Sequence, residues 1–335
     1  MKIPIIKCHG TGNDFILIDE ISHVFNFNEE QRRNLAITLC DRKKSIGADG
    51  ILFVQKSSSC HGKMRIFNAD GTEPEMCGNG LRCVGRYVLE AFNMNEVTIE
   101  TMKAQYLVKK MDDLYEGVKT VKITIDSITF NAADLPLENS KSTVFFENIK
   151  ELSENLTFSA VSVTNPHLVS IMDEICEEEL VKVGKTANSG INILPKGVNV
   201  NFVKVISPNN IYVKTYERGV GLTKACGTGM TASVVVCTIA GKCPLGEEIN
   251  VFNDGGMIKC IVNKIGDKYS VEFIGNATYV FRGTLDSNKL PYANELESRE
   301  EILKRFDYKA YDYETIQYEK MYQHTRDILK KSASA

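Results

Sequence analysis

Hydrophobic and polar positions alternate along this chain in short strand-like runs, interrupted by a few helical stretches. Phe15 to Asp19, Ile51 to Gln55 and Met64 to Phe67 read as strands, and Glu29 to Cys40 carries a helical spacing. An apolar helical pattern over Leu81 to Ala91 follows, then strand patterns at Val97 to Met102, Gln105 to Lys110 and Val118 to Ile125, with Asp112-Asp113 between two of them. The unit changes near Gly117 to Asn131, and the same mixture begins again. Val161 to Met172 is partly extended, a helix is expected near Glu174 to Val183, and strands at Val200 to Ile206 and Ile211 to Tyr216. A second apolar helix spans Met230 to Ala240. Runs at Glu248 to Phe252, Ile258 to Asn263 and Tyr269 to Phe273 then read as hairpins, with Asn253-Asp254-Gly255-Gly256 as one turn.

Each apolar helix is opened by a cysteine in a glycine-rich turn: Glu75-Met76-Cys77-Gly78-Asn79-Gly80 in the first half and Lys224-Ala225-Cys226-Gly227-Thr228-Gly229 in the second. The two cysteines lie 149 residues apart (226 − 77). Asn13 and Asn165 are 152 apart (165 − 13), Asp49 and Asn199 are 150 apart (199 − 49), and Asn68 and Glu217 each precede their cysteine by nine. One half-length unit is therefore present twice, which predicts two similar domains facing each other across a cleft. A cysteine at a helix N-terminus meets unpaired backbone N–H groups and the positive end of the helix dipole. That environment stabilises a thiolate and attracts a carboxylate, so two matched thiols suggest two acid/base groups.

A length of 335 residues suits two domains, each with its own core. Lys and Arg number 40 against 43 Asp and Glu, so no basic field draws nucleic acid or an anionic membrane, and the expected partner is a small molecule. No apolar stretch approaches a membrane span and the first residues are charged too soon for a signal peptide, so a cytoplasmic protein is expected. Ten cysteines without a Cys-x-x-Cys pair fit neither a disulfide scaffold nor a zinc site. Cys8, Cys40, Cys83, Cys176, Cys237 and Cys260 read as small buried hydrophobes. From about Asp286 the composition turns charged and tyrosine-rich, with helical runs around Glu295 to Phe306 and Tyr313 to Lys331. This tail has no counterpart in the repeat and reads as a surface or oligomer-contact helix, a homodimer being the oligomer to test for.

Gly219-Val220-Gly221-Leu222-Thr223-Lys224 lacks the Gly-Lys-Ser/Thr of a P-loop and the third glycine of a dinucleotide fingerprint. His9, His23, His61 and His324 show no ligand spacing, whereas His167 in Asn165-Pro166-His167 holds the place of Gly12-Asn13-Asp14 in the first unit and is a candidate cleft residue. Glu217-Arg218 would by default be a solvated pair. Before a glycine turn into the cysteine helix, it sets an acceptor and a bidentate donor where an amino group and a carboxylate can be read. Asn68, Asn79, Asn165 and Asn199 are ordinary turn asparagines taken singly, and a polar pocket taken with their repeated placement.

At these residues the chain resembles the diaminopimelate epimerase family, through Lys7 to Phe15, Gly47-Ala48-Asp49-Gly50, Phe67 to Thr72, Met76 to Cys83, Asn165-Pro166-His167, Tyr216 to Gly221 and Ala225 to Gly229. The likeness runs to about Gly283. It implies an α+β fold of two pseudo-symmetric domains, each wrapping mixed β strands round a central helix, with the active site in the cleft between them. Residues 1–117 with about 277–285 would form the first domain, 118–276 the second, and 286–335 a helical extension. It further implies a cofactor-independent, two-base epimerisation of LL- to meso-diaminopimelate in lysine and cell-wall precursor synthesis, without pyridoxal phosphate or metal. Cys77 and Cys226 would be the bases, and Gly78, Asn79, Gly227 and Thr228 the donors to the reacting carboxylate. Asn13 would lie near the reacting centre, Asn68, Asn165, Asn199, Glu217 and Arg218 would read the distal amino acid head, and His167 would stand beside the cysteine pair. Thr164 replaces a common family glycine, Gly50 a glutamine of some members, and Leu222 a usual glutamate.

A racemase of another amino acid would keep both cysteines and lose the second-head polar set. A PhzF-like isomerase would lack the cysteine pair. A non-catalytic amino-acid-binding protein would have no use for two helix-capping thiols.

Overall fold

The computed structural model describes residues 1–135, 137, 142–289 and 307–333. The chain forms two compact units, Met1–Ile123 with Gly275–Met321 and Thr124–Ile274 with Tyr322–Ala335.

In the first unit, Lys2–Gly10 pairs antiparallel with Asn13–Asp19, which runs parallel to Gly50–Gln55; antiparallel Gly62–Asn68, parallel Glu96–Glu100 and antiparallel Gln105–Met111 and Thr120–Ile125 follow. A parallel neighbour requires a crossover, and helices supply both. Helix α1 (Glu29–Cys40) precedes Gly50–Gln55, and helix α2 (Gly78–Ala91) precedes Glu96–Glu100. A capping box between Asn28 and Gln31 fixes where α1 starts. Its Ala36 and Leu39 pack on Ile16, Ile18, Ile51, Phe53 and Phe67.

Helix α2 is central rather than peripheral. Eleven of its 14 residues are buried, so strands must cover it on every side. Two of the buried residues are arginines, which need partners to be tolerated there. Arg82 donates from Nε to the Asn276 carbonyl at 2.9 Å and from Nη2 to Thr11 Oγ1 at 2.8 Å. Arg86 grips Glu314 through both Nη atoms at 2.6 and 2.8 Å and donates to the Ala277 carbonyl at 2.6 Å.

The second unit repeats the strand succession. Thr157–Val163 pairs antiparallel with Pro166–Met172; parallel Asn199–Ser207, antiparallel Asn210–Glu217, parallel Glu248–Asn253, and antiparallel Gly256–Ile265 and Lys268–Asn276 follow. Helix α3 (Glu177–Ala187) serves the first parallel crossover and α4 (Gly227–Ile239) the second. Helix α4 carries no charged residue and 11 of its 13 residues are buried, the hydroxyls of Thr231 and Ser233 donating back to the helix's own carbonyls. The same order of pairings round the same kind of buried helix is the α+β, pseudo-symmetric architecture that the resemblance implies, and it agrees with the duplication.

Some local expectations differ. Lys2–Gly10 and Thr278–Asp286 are long antiparallel partners that the pattern did not announce. Pro4 and Lys7 interrupt the apolar run, yet Lys7 is 1% exposed because its ammonium reaches the Gly47 carbonyl at 2.5 Å and Asp14 at 2.6 Å. Cys176 is exposed rather than buried, since it is the N-cap of α3 and Glu177, Glu178 and Glu179 turn that end to solvent. In the tail, Asp307–Ala310 adds a strand to Thr278–Asp286 and Asp312–Ala333 forms helix α5, while the helix expected over 295–306 lies outside the described residues. Tyr318 of α5 packs edge-on against His9 with centroids 4.3 Å apart. No helix of the described residues is long and apolar enough to cross a membrane.

Candidate active site

Cys77 is the N-cap of α2, with extended backbone (φ −144°, ψ 111°), and its Sγ accepts from the Gly80 N–H at 3.5 Å. Cys226 is the N-cap of α4 with nearly the same backbone (φ −113°, ψ 108°), and its sulfur meets Thr228 Oγ1 at 3.6 Å. Helices favour Ser, Thr, Asn or Asp at this position, so a cysteine there is not explained by capping alone; its sulfur faces the first turn's N–H groups, which have no intrahelical acceptor. In α2 those groups include Gly78 and Asn79, in α4 Gly227 and Thr228, all four residues buried. The third residue of each turn is glycine for a steric reason. A Cβ on Gly80 would lie 2.8 Å from Leu52 Cδ2, and one on Gly229 would lie 2.4 Å from Asn201 Oδ1.

Around Cys77 the structure gathers Asn13 and Asn79. Asn13 Oδ1 takes the Cys77 Sγ at 3.8 Å and Asn79 Nδ2 at 3.2 Å. Asn68 ends its strand with Nδ2 on Thr72 Oγ1 at 2.9 Å. The strand partner of Asn68 is Gly50, where a Cβ would press to 2.6 Å from the Phe67 carbonyl oxygen.

The second unit places Asn165, His167, Asn199, Glu217 and Arg218 on neighbouring strand ends and turns. Asn199 Oδ1 receives the Arg218 N–H at 2.8 Å, which fixes where the arginine leaves the strand; its exposed guanidinium donates to the Lys196 carbonyl at 3.2 Å. Glu217 is held by the Thr223 hydroxyl at 2.5 Å, and exposed Leu222 lies beside that threonine in Gly221–Thr223.

His167 is fully buried, and its surroundings settle its tautomer. Asn201 Nδ2 donates to the Leu168 carbonyl and to His167 Nδ1, both at 3.1 Å, while Asn201 Oδ1 receives Thr215 at 2.9 Å. Nδ1 is therefore the acceptor, Nε2 carries the proton, and it is donated to Asn165 Oδ1 at 2.9 Å. Burial, with the Arg218 charge, lowers the His167 pKa to about 3. The ring is neutral wherever the protein works and is no acid/base group.

Unfolding exposes His167 to its ordinary pKa near 6.5, so between about pH 6.5 and pH 3 the unfolded chain binds the extra proton. This contribution to stability is complete above about pH 6.5 and is lost progressively below it. Denaturation midpoints should fall as pH drops from 7 to 4, and His167→Gln should flatten that slope. An equally steep slope in the variant would contradict the assignment.

The turn before Asn165 holds its threonine in a strained backbone conformation. Thr164 has φ 67°, a left-handed conformation costly for a β-branched residue, and Thr11, at the matching turn before Asn13, has φ 53°. Thr164→Gly should raise stability by about 0.5–1 kcal/mol, read from the urea midpoint. An unchanged or lowered midpoint would show that no strain is stored there.

Three further residues hold the site residues in place: Asp49, singled out in the sequence only as the repeat mate of Asn199, on Asn13, and two not singled out for a role in the sequence, Asn201 on His167 and Thr223 on Glu217. Asn201 was accessible in principle, because it lies two residues beyond Asn199 on one strand and so shares its face.

The family described as Diaminopimelate epimerase matches residues 5–122 and 159–280. The diaminopimelate epimerase of Clostridium acetobutylicum is 54% identical over 331 residues, covering 98% of this chain and 97% of the relative, so the likeness includes the tail. That of Listeria monocytogenes is 43% identical over 290 residues, covering 84% and 88%. Among solved structures, a PhzF-family phenazine biosynthesis protein of Bacillus anthracis superposes with a TM-score of 0.61 at 14% identity, over 85% of this chain and 99% of that one. A probable proline racemase of Agrobacterium radiobacter gives a TM-score of 0.57 at 14% identity, over 86% and 94%. At such identity these two speak for the fold alone.

Proposed function

The chain belongs to the diaminopimelate epimerase family, and we propose that it interconverts LL- and meso-diaminopimelate with Cys77 and Cys226 as its two bases. The observation that carries this reading is the repeated helix cap: in each unit a cysteine with extended backbone opens a buried helix and faces that helix's first N–H groups. An α-hydrogen of an amino acid is a very weak acid, so its removal needs a positioned base and stabilisation of the charge that develops on the carboxylate. One thiolate takes the proton, the other thiol returns one to the opposite face, and exchange of roles gives the reverse reaction. The reading requires the two sulfurs to address opposite faces of one α-carbon. Gly78, Asn79, Gly227 and Thr228 hold the reacting carboxylate through backbone N–H groups, and Asn13 stands at the reacting centre.

Asn68, Asn165, Asn199, Glu217 and Arg218 read the distal head, the last two as acceptor for its ammonium and donor to its carboxylate. His167 enters only through Asn165, whose oxygen it occupies, leaving the amide N–H as the donor that residue offers. No cofactor is required by this scheme. The cytoplasm suits it, because catalytic thiols must stay reduced, and the described cysteines are all free thiols. A homodimer is the oligomeric state to test by sedimentation.

The assay is direct. Purified protein under thiol reductant, without added cofactor, should turn over LL- and meso-diaminopimelate far faster than alanine, lysine or histidine. A single-headed amino acid turned over faster would transfer the reading to a racemase on the same fold.

A further inference from the structure

An amide cannot choose its orientation beside a carboxylate. Asp49 Oδ2 lies 2.7 Å from Asn13 Nδ2 and 3.0 Å from the Asp14 N–H. A carboxylate only accepts, so the nitrogen of the Asn13 amide must face Asp49, and its oxygen must face Cys77 and Asn79. Asp49 is itself fixed. Its other oxygen takes Arg42 Nη2 at 2.7 Å, Arg42 also clamps Asp14 at 2.6 and 3.1 Å, and Asp14 takes the buried Lys7 ammonium at 2.6 Å. Burial would push the Asp14 carboxyl up, but the Arg42 hydrogen bond and the Lys7 charge outweigh it and hold Asp14 well below the usual range. Asp14 and Arg42 therefore stay charged at any working pH.

We propose that Asp49 is a positioning residue that, by fixing the Asn13 amide, holds a hydrogen-bond acceptor against the Cys77 sulfur and so sets that thiol's affinity for its proton. An acceptor stabilises S–H over S⁻, opposing the Gly80 N–H and the helix end, which favour the thiolate. The thiol is thereby poised to give its proton as well as to take one, which a two-base reaction asks of it in alternate directions. This rests on Cys77 being one of the two bases. The other charged or titratable groups at that end of α2 act as a constant background. Arg82 and Cys83 are on the helix itself, and Lys7, Asp14 and Arg42 are paired within the relay. Cys8 is a buried thiol whose pKa burial pushes up, His9 is held neutral by burial with a pKa lowered to about 4, and Glu75, just before Cys77, is paired to Lys103.

The test is the pH dependence of Cys77 alkylation by iodoacetamide in the full chain, read at the Cys77 peptide by mass spectrometry. Asp49→Ala frees the amide to turn its N–H toward the sulfur, and the Cys77 midpoint should fall by about one pH unit. Asp49→Asn removes the same charge but can still accept from Asn13 and the Asp14 N–H, so the midpoint should stay within about 0.3 unit of the native one. Asn13→Ala should lower the midpoint as Asp49→Ala does, and adding Asp49→Ala to it should move it no further. An unmoved midpoint in Asp49→Ala, an equal shift in Asp49→Asn, or additive shifts in the double variant would each overturn the proposal. Should Asp49→Ala fail to fold, Asn13→Ala decides it alone, an unmoved midpoint being the contrary result. The titration is read without turnover, so it fails or holds independently of the base assignment, which Cys77→Ala tests by activity.

Discussion

Cys77→Ala should lower epimerisation by at least about 10³-fold, equivalent to roughly 4 kcal/mol of transition-state stabilisation, and Cys226→Ala should do the same. A site with one base can take a proton from one face but cannot supply one to the other, so losing either thiol stops inversion rather than slowing it. The fold should survive both changes. Each cysteine is a helix cap whose side chain adds little to the cap: the Cys77 sulfur accepts one N–H at 3.5 Å, and Cys226 makes no side-chain cap bond at all. Circular dichroism should therefore show a native spectrum beside the lost activity. Turnover within tenfold of native in either folded variant would remove the two-base assignment.

The second large effect is on substrate choice. Arg218→Met should cost about 2–3 kcal/mol in kcat/KM for diaminopimelate, roughly 30- to 150-fold, because a charge-assisted contact to the distal carboxylate is lost. Single-headed amino acids have no such carboxylate, so their slow turnover should hardly change and the preference should shrink by nearly the full factor. The Arg218 backbone is tied to Asn199 Oδ1 at 2.8 Å, and that hydrogen bond survives the substitution, so the turn should keep its shape. An equal loss for alanine and diaminopimelate would mean that Arg218 supports the site as a whole and reads no distal head.

What the sequence disclosed and what it hid follow from the range of the interactions. The cysteine caps, their glycine turns and the repeated asparagines are signals only a few residues long, and the duplication made each signal visible twice. Their partners are set by strand register. Asp49 reaches Asn13 because Gly50–Gln55 runs parallel to Asn13–Asp19 with Phe15 opposite Gly50. Asn201 reaches His167 because Asn199–Ser207 runs parallel to Pro166–Met172 with His167 opposite Asn199. Parallel pairings join segments tens of residues apart, and nothing local announces them. The same holds for Lys7, which reads as a strand-breaking charge until Gly47 and Asp14 supply its partners, and for Glu314, whose pairing with Arg86 joins the tail to the helix that Cys77 opens.

Inversion by two separate thiols leaves an isotopic signature that one labelling experiment reads. LL-diaminopimelate is incubated with the enzyme in deuterium oxide and sampled during the first few per cent of conversion. With two bases the proton removed stays on one sulfur and the one delivered comes from the other, already exchanged with solvent. The meso product should carry one deuterium at the inverted carbon, while the remaining LL substrate keeps its hydrogen. Deuterium entering recovered LL substrate as fast as it enters product would mean that a single group removes and returns the proton, and would contradict the assignment of Cys77 and Cys226 as a pair.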